Sequence, residues 1–105
     1  ADNKGDGSSF SPTDLVAAAL GSCIVTTMAI VAEREGIDFS SASFKVEKHM
    51  QIDPRRIASL PVVVHMPKGL TPDQRKKLER AAHTCPVHAS LLPEIGKELQ
   101  FLYED

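Results

Sequence analysis

The sequence predicts an α+β fold in which a long buried central helix packs on a mainly antiparallel sheet, with two shorter helices beside it. Three observations carry that reading. The stretch from Ser11 to Gly36 is punctuated as one helix and holds no charge between Leu15 and Ala32. Two strand-like runs, 44–52 and 57–66, flank the turn residues Asp53-Pro54-Arg55-Arg56, as the arms of a hairpin would. Two further helix starts follow, each marked by a proline, and then a closing alternation over 98–103.

A chain of 105 residues is expected to form one domain, residues 1–105. A net charge of −2 offers no electrostatic reason to bind nucleic acid or an anionic membrane. Two cysteines are too few for a disulfide scaffold, so the expected compartment is the cytoplasm, with reduced thiols.

Residues 1–10 are expected to be a Gly/Ser/Asp loop, with Phe10 a candidate hydrophobic staple. Ser11 caps the long helix, Pro12 takes the first helical position, and Asp14 lies near the positive dipole end. Gly36 supplies the left-handed stop, with Arg34 in the last turn. Apolar residues appear on every face, so the helix is expected to be buried all round. Its uncharged run is short for a bilayer and is interrupted by Gly21, Ser22, Thr26 and Thr27, so no membrane span is expected. Ala17, Ala18, Gly21 and Ser22 instead leave room for another backbone, such as the same helix of a partner chain. The remainder of so small a domain cannot cover such a helix. Missing strands and a tight oligomer are therefore both expected.

In the first strand run, Phe44, Val46, Met50 and Ile52 face inward, and Lys48 breaks that face. The second run holds Val62-Val63-Val64, and Pro61 places it at an edge or a bulge. Thr71-Pro72-Asp73-Gln74 opens the second helix, which runs to about His83 with a thin stripe of Leu78, Ala81 and Ala82. Its Arg75, Lys76 and Lys77, like Arg55 and Arg56, are expected on solvated faces. A third helix opens at Cys85-Pro86-Val87-His88 and runs through Leu92. Leu99, Phe101 and Tyr103 alternate in the closing strand.

By local physics Cys85 is the first candidate for chemistry. Its thiol sits at a helix start, where free N–H groups favour thiolate, and charged His83 or His88 would favour it further. Cys23, inside an apolar helix, resembles inert packing until it is paired with Cys85. Together with His83 and His88 the cysteines make a Cys2His2 candidate, but Cys23 has no second ligand beside it. No metal and no cofactor are expected. His49 and His65 are ordinary strand positions.

Ser11-Pro12-Thr13-Asp14-Leu15 through Ala18-Ala19-Leu20-Gly21-Ser22-Cys23, followed by Cys85-Pro86-Val87-His88-Ala89-Ser90-Leu91, resembles the motifs of the OsmC/Ohr family of thiol peroxidases. The resemblance implies an intertwined homodimer with the long helices at its centre. It implies Cys23 as the peroxidatic cysteine, attacking an organic hydroperoxide, and Cys85 as the resolving one. The reductant it implies is a dithiol, often a lipoyl group. The order of the cysteines is then the reverse of the one local physics gives, and something beyond the local sequence must activate Cys23.

The sequence departs from the family at two points. The family's peroxidases carry a glutamate after the motif proline, where this chain has Thr13, with Asp14 next to it. Their arginine lies on an early strand that would precede Ala1, so the usual N-terminal strands are expected to be lacking. Thr13 and Asp14, with His88, are therefore secondary site candidates. Cys23 is expected to be less acidic than in the glutamate-bearing enzymes, and peroxide reduction slower or more selective. The competing expectations are a non-catalytic redox switch and a small-molecule-binding protein of the same fold.

Overall fold

The computed structural model describes residues 11–104. In chain order it contains α1 (Pro12–Arg34), β1 (Ser43–Val46), β2 (His49–Gln51), β3 (Arg56–Ser59), β4 (Val62–His65), α2 (Pro72–Ala82), α3 (Pro86–Ser90) and β5 (Leu99–Leu102). The expected staple at Phe10 lies outside the described residues.

Both ends of α1 form as the sequence dictates. The Ser11 hydroxyl accepts from the Asp14 N–H, and the Asp14 carboxylate accepts from the Ser11 N–H at 3.2 Å, a complete capping box. At the far end Gly36 adopts φ 71°. The Ile37 N–H then reaches the Ala32 carbonyl at 2.8 Å and the Gly36 N–H reaches Glu33 at 3.2 Å, the paired bonds of a Schellman stop.

Burial around α1 differs from the expectation. Within one chain only the stripe Ala17, Leu20, Gly21, Ile24, Met28 and Ala32 is closed off. A second stripe, Leu15, Ala19, Ser22, Thr26 and Ile30, is exposed at the same helical spacing. An all-round apolar helix therefore has one face in its own core and one uncovered face. By length and composition α1 also qualifies as a membrane span, but its buried stripe is the centre of a core shared with β4, α2 and Cys85.

The space at Gly21 is taken by a side chain of the same chain, not by a partner's backbone. A Cβ built there would lie 2.2 Å from the Phe44 ring. Gly21→Ala is thus expected to push β1 off α1 and destabilise by about 1–3 kcal/mol. Urea unfolding that shows no loss would contradict this packing.

The two strand runs form, but each is broken in two. β1 pairs antiparallel with β4 (Phe44 opposite Val64), and β2 pairs antiparallel with β3 (Gln51 opposite Arg56). The break at Glu47-Lys48 has a cause in Lys48. Its inward-pointing ammonium turns to Asp14 at 2.6 Å and to the Thr13 hydroxyl at 2.9 Å instead of continuing an apolar face. Opposite, the break falls at Leu60-Pro61, where the Pro61 carbonyl accepts from the Glu47 N–H at 3.0 Å. A proline lacks the N–H a ladder needs, and here it sits between strands. The strand that follows it is not at an edge. The sheet order is β1-β4-β5, so β4 is central and pairs parallel with β5. Ile52, expected on the buried face, lies in the turn and is 91% exposed.

α2 buries Leu78, Ala81 and Ala82, the predicted stripe. Arg75 is not on a solvated face: its guanidinium stacks 4.1 Å from the centre of the Tyr103 ring, whose hydroxyl bonds Glu79. Lys77 ties α2 to the end of α1 through Glu35 at 2.8 Å. α3 stops at Ser90, short of Leu92, because its last N–H contact closes at Leu91 in extended geometry.

Candidate functional site

Tertiary packing of α3 on α1 brings together two cysteines 62 residues apart in sequence. Cys23 lies on the flank of α1 between its buried and exposed stripes, and is half-buried. Cys85 is the N-cap of α3 and is fully buried. Both thiols are free, and the Cys85 thiol is a hydrogen-bond partner of Cys23.

The electrostatics separate the two sulfurs. Burial pushes Cys23 up, but hydrogen bonds from the Cys85 thiol, the Val87 N–H and the Thr27 hydroxyl outweigh it and hold Cys23 below the ordinary thiol range. Burial pushes Cys85 up as well, and its contact with Cys23 raises it further. The Val87 and His88 N–H groups oppose that rise, the latter donating to Cys85 Sγ at 3.4 Å. The result is a thiolate-prone Cys23 beside a protonated Cys85.

This arrangement answers the conflict between local physics and the family pattern. Free N–H groups at the start of α3 do favour a thiolate, but one of them, Val87, is aimed at Cys23. The cap residue itself is sealed in the core. The same Thr27 hydroxyl, one turn after Cys23, lies 2.8 Å from the Cys23 carbonyl, so its single proton serves both the carbonyl and the thiol. Its helical i+4 spacing was the available signal for a role in the site.

The secondary candidates separate. Thr13 and Asp14 lie ten and nine residues before Cys23 on one straight helix, roughly 13–15 Å along the axis. Within the chain they serve Lys48 and the helix start, not Cys23. Lys48, read from sequence as a flaw in a strand, is a 9%-exposed ammonium neutralised there. His88 reaches the site through its backbone N–H, which donates to Cys85 Sγ, and its imidazole is not a cation. Burial, Lys97 and His83 lower its pKa below the usual histidine value, so it is neutral near pH 7. His83 meets it edge to face, with ring centres 6.5 Å apart. Among the described residues no group of three or more His, Cys, Asp or Glu converges to hold a metal.

The sequence matches the OsmC-like protein family profile over residues 5–99. The chain belongs to the OsmC-like family. Its fold closely matches a Psychrobacter arcticus 273-4 protein named for an osmotic stress and detoxification response. That match has TM-score 0.90 and 36% identity, covering 96% of this chain and 74% of that one. An organic hydroperoxide resistance protein OsmC from Legionella pneumophila matches with TM-score 0.75 and 22% identity, over 93% of this chain and 73% of that one. The organic hydroperoxide resistance protein OhrB of Bacillus subtilis matches with TM-score 0.68 and 21% identity, over 90% and 72%. These last two likenesses establish the OsmC-like fold. No curated protein matches the chain.

Proposed function

We propose that this OsmC-like protein is a thiol-dependent organic hydroperoxide reductase that works as a cytoplasmic homodimer, with Cys23 peroxidatic and Cys85 resolving. The observation that supports it is the paired, electrostatically unequal thiols: one activated and half-open, the other protonated, buried and in hydrogen-bond contact. Cys23 thiolate attacks the hydroxyl oxygen of the hydroperoxide and the O–O bond breaks, leaving a Cys23 sulfenic acid, while the departing alkoxide takes a proton from solvent and leaves as the alcohol. Cys85 sulfur then attacks Cys23 sulfur, water leaves, and a disulfide closes. A dithiol, a lipoyl group among the candidates, reduces it.

The dimer is supported by the uncovered stripe Leu15, Ala19, Ser22, Thr26 and Ile30, in which Leu15 is 55% and Ile30 49% exposed. A second copy of the chain suits an uncharged, small-residue surface, and an obligate interface of more than about 2,000 Å² is expected. Sedimentation at micromolar concentration is expected to give a dimer; a monodisperse monomer would overturn that part.

The test of function is steady consumption of cumene hydroperoxide with dihydrolipoamide as electron donor. Sustained turnover supports the reductase. A single stoichiometric oxidation to the Cys23–Cys85 disulfide without turnover would instead establish the redox switch, which the threonine at position 13 favours.

A further inference from the structure

Thr27 stands one helical turn after Cys23, so the two side chains share a face of α1. It is half-buried, as Cys23 is. Its hydroxyl oxygen lies 2.8 Å from the Cys23 carbonyl, to which it donates. That carbonyl already takes the Thr27 N–H in the helix ladder, so the second bond adds little to the backbone. What it does is fix the side chain. A threonine is stiff at χ1, and in a helix one of its rotamers sets the oxygen on the carbonyl four residues back. The hydroxyl oxygen is thereby held in one place, and in that place it also meets the Cys23 sulfur.

A hydroxyl carries one proton and two acceptor lone pairs. The Thr27 proton serves the carbonyl and the sulfur, whereas among the described residues no donor reaches the oxygen's lone pairs. We propose that Thr27 Oγ1 accepts the O–H of the incoming hydroperoxide and so sets its terminal oxygen against the Cys23 sulfur. The proposal rests on the reading of Cys23 as the peroxidatic thiolate. In the step, the thiolate electron pair forms an S–O bond to the hydroxyl oxygen and the O–O bond breaks. That bond's pair leaves on the alkoxide, which takes a proton from solvent. Sulfur is oxidised to the sulfenic acid and the hydroperoxide is reduced to the alcohol. The O–H proton stays on its oxygen throughout, so Thr27 holds the same O–H before and after the S–O bond forms.

The surroundings leave this task to Thr27. The other groups that bond the Cys23 sulfur are the Cys85 thiol and the Val87 N–H, both from the α3 side and both donors to it. Donors stabilise the thiolate but give an O–H nothing to bind. A hydroperoxide that leaves water for the half-buried sulfur would otherwise lose the hydrogen bond its O–H makes there. An acceptor fixed beside the nucleophile restores that bond and orients the reacting oxygen in the same contact.

The experiment compares single-turnover oxidation of Cys23 by cumene hydroperoxide with its reaction with methyl methanethiosulfonate, which carries no hydrogen-bond donor. Both rates are read on the pH plateau where Cys23 is fully thiolate, so a shifted thiol acidity does not enter. Thr27→Val has the shape of threonine without the hydroxyl. It is expected to slow oxidation by the hydroperoxide about tenfold, as loss of one hydrogen bond does. Its thiosulfonate rate should be unchanged or raised up to about threefold, because a less acidic thiolate is the better nucleophile. Thr27→Ser keeps the hydroxyl and should bring peroxide oxidation back to within about threefold of wild type. Equal slowing of both reagents in Thr27→Val, or no recovery in Thr27→Ser, would show a merely structural role and overturn the proposal. A wild type that oxidises readily beside an unaffected Thr27→Val overturns this proposal alone and leaves the reductase reading in place. A wild type inert to the hydroperoxide yet reactive with the thiosulfonate overturns both.

Discussion

Cys23→Ser is expected to abolish peroxide consumption, a loss on the order of 10³-fold or more, as removal of a sole nucleophile does. The fold should be untouched, because serine is smaller than cysteine and the position is half-buried. The two substitutions at Cys85 should behave differently from this and from each other. Cys85→Ser keeps a donor beside Cys23 but cannot form a disulfide, so a Cys23 sulfenic acid is expected to accumulate and to be trapped by dimedone. Cys85→Ala removes the donor as well. A hydrogen bond to a charged sulfur contributes on the order of 1.5 kcal/mol, so alkylation of Cys23 at pH 7 should fall about tenfold relative to Cys85→Ser. The sign is fixed by the direction of the effect: a donor that holds Cys23 below the ordinary thiol range makes it reactive at lower pH. Equal alkylation of the two variants, with full turnover by Cys23→Ser, would place the chemistry elsewhere.

Leu20→Ala is expected to cost about 3–5 kcal/mol, close to the whole stability of many domains of this size. Leu20 is fully buried on the inner stripe of α1, three residues before Cys23, in the same core as Met28, Val64 and Leu78. The midpoint of thermal unfolding should fall by roughly 15 °C or more. Leu15→Ala is the matched control, because Leu15 is 55% exposed in one chain. In a monomer it should change stability by less than about 0.5 kcal/mol. In a dimer closed over the outer stripe it should cost several times that, and in a concentration-dependent way. A loss below about 1 kcal/mol for Leu20→Ala would mean the core is not closed as described.

Local elements were legible in the sequence where a short-range rule decides them. Ser11 with Pro12 and Asp14, Thr71 with Pro72 and Gln74, and Gly36 at φ 71° all act within one helical turn, so neighbouring residues suffice. The stripe Leu78, Ala81, Ala82 and the alternation of Leu99, Phe101 and Tyr103 were readable by period. The two motifs around Cys23 and Cys85 pointed to the family that the profile over residues 5–99 then established. What the sequence could not supply was anything settled by a distant group. Lys48 looked like a flaw in a strand because its partner, Asp14, lies 34 residues earlier. Pro61 suggested an edge or a bulge, whereas β5, which arrives from the far end of the chain, makes β4 the central strand. Gly21 suggested a partner's backbone, and the Phe44 ring fills the space. Above all, the identity of the activated thiol was a tertiary decision. Sequence placed Cys85 at a helix start with free N–H groups, but packing sealed Cys85 in the core and directed the Val87 N–H at Cys23. Thiol reactivity is set by desolvation and by the donors nearby, and both are fixed only when α3 docks on α1.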